Sequence, residues 1–350
     1  MATLTELDTP VVTIDLDIVE ANIARLQTYL DGHGIKSRPH IKTHKIPALA
    51  KKQVEAGAAG IACQKIGEAE VMAAAGLRDI FLPFNILGPA KLERLIALAR
   101  QVRLSLTVDS EGVAQGLSQA ARRAGLSLSV LVECDTGGQR VGVQSPEAAL
   151  DLARRIVRMP GLIFGGLMTY PNSEAAGKFF VRALELFKGA GLPVPEVSGG
   201  GTPVMWQAHT VPGLTEHRAG TYIYNDRSIV RSGAATWEQC AMRIRATVVS
   251  RPTPGRAILD AGSKSLTSDL LGFEDYGYVV EYPEARLFTL SEEHGHLDIS
   301  GCSGRPEIGE VVSIIPNHTC VVSNLHDTVT MTRGVRVEGE WAVAARGRTR

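Results

Sequence analysis

Eight consecutive residues, Arg38-Pro39-His40-Ile41-Lys42-Thr43-His44-Lys45, hold two lysines, two histidines and an arginine. A solvated basic loop is the usual fate of such a charge run. Two details argue against it here. Pro39 stiffens the backbone and keeps helix away from the stretch leading to Lys42. The alternation His40, Lys42, His44 then sends three side chains to one face of an extended segment. A lysine held among other cations gives up its proton more readily than an isolated one, and the free amine is the nucleophile of Schiff-base chemistry.

Two other clusters carry chemistry. In Ser198-Gly199-Gly200-Gly201-Thr202-Pro203 three glycines let the backbone approach an anion and turn N–H groups towards it, and Thr202 adds a hydroxyl donor. An ordinary glycine-rich turn reads the same way in isolation. Pro316-Asn317-His318-Thr319-Cys320 sets an imidazole and a thiol at i and i+2 just past a strand, where both can project to one side. That donor pair favours Zn2+. A bare His-x-Cys is more often two buried side chains. If it is a site, two ligands leave positions for water or substrate, which suits a catalytic metal. His294 and His296, in Glu292-Glu293-His294-Gly295-His296, read as a polar loop, with His294 open as a supplementary ligand.

The elements that must position these residues come next. Leu16, Val19, Ile23, Leu26 and Leu30 recur at helical spacing behind Asp15, an N-cap residue. From there to about residue 225 strands alternate with helices. Strands are expected around Ile41, over 60–64, 80–84, 104–109, 128–134, 162–169 and 194–198, and around His217. Helices are expected over 46–56, 68–75, 89–100, 110–124, 146–157 and 174–190. Eight strands with intervening helices predict an α/β fold, a (β/α)8 TIM-type barrel over 14–235. An open doubly wound sheet is the structural alternative. Strand-like runs without long helices follow at 240–249, 257–260, 276–281, 287–290, 310–315, 328–332 and 341–345. They predict a mostly β C-terminal domain over 236–350, joined by residues 1–13 and carrying the metal ligands.

Barrel enzymes work at the C-terminal ends of their strands and often keep a phosphate site after the seventh. Lys42 ends the first strand, Gln64 follows the second, Arg140 the fifth and Tyr170 the sixth. The glycine run follows the seventh, and Tyr222 and Tyr224 the eighth. A lysine and a phosphate cradle across one barrel mouth describe pyridoxal phosphate. Lys42 and His40 are then the candidate catalytic residues. Lys42, Gln64, Arg140, Tyr170, Gly200, Gly201, Thr202, Tyr222 and Tyr224 are the candidate cofactor contacts. Arg140 would stand near the cofactor ring or a substrate carboxylate. A surface guanidinium and a rim aromatic are the plain alternatives for Arg140 and Tyr170.

The totals set bounds. Apolar residues make up 44% of the 350 and charged ones 21%, enough for a large core. Lys+Arg and Asp+Glu are 37 each, so there is no electrostatic case for nucleic acid or an anionic membrane as partner. No apolar run reaches spanning length, and MATLTELDTP lacks the apolar heart of a signal peptide. Five scattered cysteines suit a reducing cytoplasm, which is the expected location.

A barrel followed by a β domain, with a lysine at the first strand, resembles the alanine-racemase-like (fold-type III) pyridoxal phosphate enzymes. Within these, Arg38-Pro39-His40-x-Lys42-Thr43-His44-Lys45, Gly67-Glu68-Ala69-Glu70, the Gly-Gly-Gly-Thr-Pro run and Pro316-x-His318-x-Cys320 are similar to the D-threonine aldolase / D-serine dehydratase family. The resemblance covers nearly the whole chain. It implies that Lys42, rather than Lys45, is the Schiff-base lysine. It implies a divalent metal, Zn2+ or Mn2+, held by His318 and Cys320. It implies a lyase on D-β-hydroxy amino acids, by aldolase-type cleavage to glycine and an aldehyde, with dehydratase-type elimination to an oxoacid and ammonia as the alternative. An amino-acid racemase, which needs no metal, stands behind both. The aldolases tend to carry aspartate and prefer Mn2+ where this chain has Cys320; the eukaryotic-type dehydratases carry cysteine there and prefer Zn2+. A homodimer, each barrel mouth completed by the partner's β domain, is also implied.

Overall fold

A parallel strand covered on both faces reads as an unbroken apolar run, and in Leu128–Cys134 only Ser129 is not fully buried. In the computed structural model, which describes residues 2–350, that strand belongs to an eight-stranded parallel sheet. The strands are Lys36–Ser37, Ile61–Ala62, Asp79–Leu82, Arg103–Val108, Leu128–Cys134, Leu162–Thr169, Glu196–Gly200 and Glu216–Arg218. Neighbours in sequence pair from the second to the eighth, and the eighth pairs with the first. Between the first and second strands, Ala62 N–H donates to Pro39 C=O at 2.8 Å and Ala59 N–H to Ser37 C=O at 2.9 Å. The sheet therefore curls into a TIM-type barrel, and the open-sheet alternative is set aside.

Helices Pro47–Glu55, Ile66–Ala74, Pro89–Ala99, Glu111–Ala124, Pro146–Val157 and Glu174–Gly189 alternate with the strands. Ser145 and Ser173 cap two of them through their hydroxyls. After the seventh strand a 3-10 run, Thr202–Thr210, stands in the helix position.

The first strand ends earlier than expected. Ile41–Thr43 is a 3-10 turn and Lys45 is left-handed, with φ 56°. The alternation meant to align His40, Lys42 and His44 is broken there. The cause is local: His40 Nδ1 accepts the Lys42 N–H at 3.3 Å and His44 Nδ1 the Ile46 N–H at 3.0 Å. These bonds satisfy backbone donors that a strand would have used.

The barrel contains a second feature that was not expected. Beside the apolar cluster Ala62, Phe81, Leu131 and Met168 runs a buried polar ladder. Arg38 pairs with Asp79 at 2.6 Å and with Glu216 at 2.5 Å. Ser198 donates to Glu216 at 2.6 Å, and Arg218 donates to Ser198 and, at 2.9 Å, to Thr169 C=O. Gly60 makes room for the ladder, since a Cβ there would stand 2.5 Å from the Arg38 guanidinium.

By contacts the chain divides into two units, one of residues 25–42, 47–220 and 348–350, the other of 2–24, 43–46 and 221–347. These cuts differ from the expected 14 and 235. The N-terminal segment goes with the second unit because Val11–Asp15 is a strand of its sheet, antiparallel to Met242–Thr253 and parallel to Thr328–Arg333. Arg256–Leu259, Gly277–Val279, Arg286–Leu290, Gly295–Asp298, Val311–Pro316 and Arg336–Ala342 complete that mostly β unit. His296, expected in a polar loop, lies in the strand Gly295–Asp298, where buried Gly295 and Leu297 alternate with half-buried His296 and Asp298. Among the described residues no helix is long and apolar enough to cross a membrane, and the five cysteines form no disulfide.

Candidate active site

Tyr170 follows the sixth barrel strand and keeps 43% of its surface exposed. Three candidate residues meet at its ring. Lys42 Nζ lies 6.0 Å from the ring centroid and the Arg140 guanidinium 5.1 Å. A Cβ on Gly201 would stand 3.6 Å from Tyr170 Cε2. Cations over an aromatic face are attracted by its quadrupole, so the ring gathers the two positive groups without neutralising either.

His40 fixes the backbone of Lys42. Its Nδ1 accepts the Lys42 N–H, and its Nε2 lies 3.0 Å from Gln64 Oε1. An acceptor at Nδ1 and an amide oxygen at Nε2 place the proton on Nε2. Buried with both nitrogens engaged, His40 positions Lys42 and Gln64 and is not arranged to carry protons. Gln64 is anchored in turn: its N–H and that of Lys65 donate to Glu68 Oε2 at 2.7 and 3.2 Å. The motif Gly67-Glu68-Ala69-Glu70 thus contains the carboxylate that ties the second strand end to helix Ile66–Ala74.

The glycine run does different work from that expected. Gly199 and Gly200 lie inside the seventh strand. A Cβ on Gly200 would stand 2.7 Å from Arg218 C=O, and one on Gly199 2.1 Å from Asn172 Oδ1. Gly201, at φ 121°, donates its N–H to Arg218 C=O at 3.0 Å. Gly199 and Gly200 are therefore required by close packing of the barrel wall, and the Gly201 N–H is bonded to that wall.

Arg140 reaches back to Glu133, Nη2 to Oε1 at 3.6 Å. Burial holds the Glu133 carboxyl above the usual carboxylate range, opposed by Arg140 and then Arg218. Glu133 had been given no role; its signal was an acid inside an apolar strand. Tyr222 and Tyr224 are both buried, and Tyr224, whose ring meets the edge of His44 at 6.4 Å, is among the largest fully buried side chains. Tyr222 lies in the turn Thr221–Ile223.

His217 on the eighth strand is fully buried, and among the described residues neither ring nitrogen makes a hydrogen bond of normal geometry, the Gly201 backbone being the nearest polar influence. Burial first, and Arg218 second, push its pKa down to about 3. The folded chain keeps this imidazole neutral, while the unfolded chain takes up a proton below about pH 6.5. Stability should fall by about 1.4 kcal/mol per pH unit from this group as pH drops through that window. His217→Gln should flatten the slope, measured as urea midpoints at a series of pH values.

In the mostly β unit, His318 is the N-cap of helix Thr319–Leu325 and Cys320 lies in its first turn. The pair is not aligned by strand alternation. It meets because an N-cap residue has extended backbone and folds its side chain over the first turn, and the Cys320 sulfur is a hydrogen-bond partner of the imidazole. On its other side His318 Nδ1 lies 2.7 Å from Asp269 Oδ2. Burial lowers the pKa of His318, and the Cys320 sulfur and then Asp269 outweigh it, leaving it raised to about 9. Cys320 Sγ lies 3.2 Å from the hydroxyl of Thr43, the residue after Lys42, and 3.8 Å from that of Thr221. Thr319, between the two candidate ligands, is held by buried Asp226, which accepts its N–H at 3.0 Å and its hydroxyl at 3.2 Å. Among the described residues no three His, Cys, Asp or Glu side chains converge on a metal position. His296 bonds Ser291 at 3.0 Å. Asp269, behind the imidazole, was missed, because nothing near it in sequence marks it.

Comparison with known proteins identifies the family. A family model described as alanine racemase, N-terminal domain, matches residues 14–228, and a serine dehydratase domain model matches 241–332. The chain belongs to the D-threonine aldolase and D-serine dehydratase family. It is 34% identical to a D-threonine aldolase of Arthrobacter sp, covering 99% of this chain and 95% of that protein. The crystal structure of a D-threonine aldolase from Filomicrobium marinum superposes with TM-score 0.92 at 31% identity, covering 99% and 98% of the two chains. A D-threo-3-hydroxyaspartate dehydratase, solved in the metal-free form with a cysteine replaced by alanine, gives TM-score 0.88 at 31% identity, covering 98% and 99%. Aldolases and dehydratases are both lyases, and this member of the family is a lyase with an alanine-racemase-like fold.

Proposed function

We propose that this lyase uses pyridoxal phosphate and a divalent metal to cleave D-β-hydroxy amino acids, by retro-aldol reaction, to glycine and an aldehyde. The observation that carries the reading is the His318–Cys320 pair braced by Asp269, in a chain whose barrel presents Lys42 beside Tyr170 and Arg140. A racemase would have no use for the pair.

The residues fit both groups. Lys42 would carry the cofactor, and the turn beginning at Thr202 would meet its phosphate. Pyridoxal phosphate when bound supplies an electron sink for the pair released at Cα. His318 and Cys320 would hold the metal; their nitrogen and sulfur donors favour Zn2+, with Mn2+ the harder alternative. A metal there makes a nearby hydroxyl more acidic. The chain's own groups do the rest. His40 and Gln64 hold Lys42 in place, the Lys42 amine exchanges a proton at Cα, and Arg140 offers a guanidinium to the substrate carboxylate.

A second reading, elimination to an oxoacid and ammonia, is favoured by Cys320, because removal of a cysteine accompanies the metal-free form of a dehydratase relative. Identity to the solved aldolase and the solved dehydratase is the same, 31%, so a product assay decides. Protein loaded with pyridoxal phosphate and Zn2+ or Mn2+ should release glycine and acetaldehyde from D-threonine. Ammonia and oxoacid from D-serine or D-threonine would replace the first reading by the second, and neither set of products would refute the lyase reading for these substrates. The active form is proposed to be a homodimer, testable by light scattering.

A further inference from the structure

Loop 267–275 adopts backbone that most residues avoid. Thr267 at φ 67° and Leu271 at φ 47° are left-handed without being glycine, and Gly272 follows at φ 76°. Such strain persists only where the surroundings over-determine it, and here they do. Arg231 donates to Leu271 C=O and Gly272 C=O, both at 2.9 Å, and lies 3.7 Å from the Phe273 ring centroid. Arg227 pairs with Asp275 and faces the same ring at 4.4 Å. Asn317, the residue before His318, donates to Leu270 C=O at 3.3 Å and Asp275 C=O at 2.6 Å.

The held loop delivers one group. Leu271 N–H donates to Asp269 Oδ1 at 3.1 Å, and Asp269 N–H donates to the Thr267 hydroxyl at 3.2 Å. With Oδ1 fixed by the loop itself, Oδ2 is the oxygen that meets His318 Nδ1 at 2.7 Å. We propose that loop 267–275 is a positioning element for metal binding: Asp269 holds the His318 Nδ1–H, so that Nε2 is the nitrogen offered to the metal, and Arg231 and Asn317 hold the loop that aims Asp269. A carboxylate behind a ligating imidazole fixes its tautomer and ring angle and makes it a better donor. Each Asp269 oxygen has its own partner, Oδ1 the loop N–H and Oδ2 the imidazole. This inference rests on the metal reading of His318 and Cys320 given above.

The test uses the full-length, cofactor-loaded enzyme. Zn2+ affinity is measured by competition with a chromophoric chelator, and the ligand field by the visible absorption of the Co2+ form. Asp269→Ala should lose about 10- to 100-fold in Zn2+ affinity, and Asp269→Asn, which keeps the shape, should lose less. Both should change the Co2+ spectrum, and Arg231→Ala should weaken Zn2+ in the same direction, all with cofactor absorbance unchanged. Cys320→Ala is the control. If Cys320→Ala binds Zn2+ like the wild type, the metal reading itself fails. If Cys320→Ala loses Zn2+ while Asp269→Ala and Asp269→Asn keep wild-type affinity and spectrum, the positioning role alone is overturned.

Discussion

Lys42→Ala should fold, lose the visible absorbance of bound cofactor and lose lyase turnover by about 10³-fold or more. The size follows from two roles in one amine, covalent attachment and proton exchange at Cα, the second of which alone is typically worth about 10²- to 10⁴-fold. The other nearby lysines are otherwise occupied. Lys45 is buried and donates to Asn324 at 2.9 Å, and Lys65 rests over the Phe84 ring, 3.8 Å from its centroid. Lys42 is half-buried, and its backbone is pinned by His40. Borohydride reduction of the loaded protein, then peptide mapping, should find the pyridoxyl group on Lys42. Recovery of the label on Lys45 or Lys65 would overturn the site as described.

Removing the metal is the second large effect. Chelation should reduce turnover by about 10³-fold, since Lewis-acid assistance supplies several kcal/mol at about 1.4 kcal/mol per tenfold in rate. Cofactor absorbance should persist, because Lys42 and the metal pair are separate attachments. Cys320→Ala should behave like the chelated enzyme. Cys320→Asp should keep a metal and shift preference towards Mn2+, oxygen replacing sulfur. If the chelated enzyme and Cys320→Ala both keep wild-type turnover, the pair is only packed side chains and the racemase reading moves ahead.

What was legible in the sequence was what is written in consecutive residues. The lysine, the glycine run and His318-x-Cys320 each lie within a few positions, and the barrel strands announce themselves as apolar runs. Three kinds of information were not local. The backbone at Ile41–Thr43 depends on which acceptors His40 and His44 offer, and over three residues a turn and a strand look alike. The ladder from Arg38 through Glu216 and Ser198 to Arg218 joins strands from opposite ends of the barrel sequence, so Arg38 read only as part of a charge run. Asp269 meets His318 across 49 positions through a loop whose shape is set by Arg231 and Asn317, and no motif marks it. The burial of Tyr222 and Tyr224 was not legible either, because position after the eighth strand does not say how far a side chain turns inward.

The pairing of Val11–Asp15 with Met242–Thr253 and Thr328–Arg333 has a consequence in time. Most barrel strands bond a neighbour made shortly before them, so that sheet can assemble as the chain lengthens. Val11–Asp15 is made near the start and meets its first partner, Met242–Thr253, only once synthesis enters the last third of the chain, and its second, Thr328–Arg333, only near the end. Through most of translation Val12 and Ile14, both buried in the finished fold, are exposed on a strand with two bare edges. Bare apolar edges recruit other chains, so that interval is when the nascent polypeptide is most exposed to association with its neighbours.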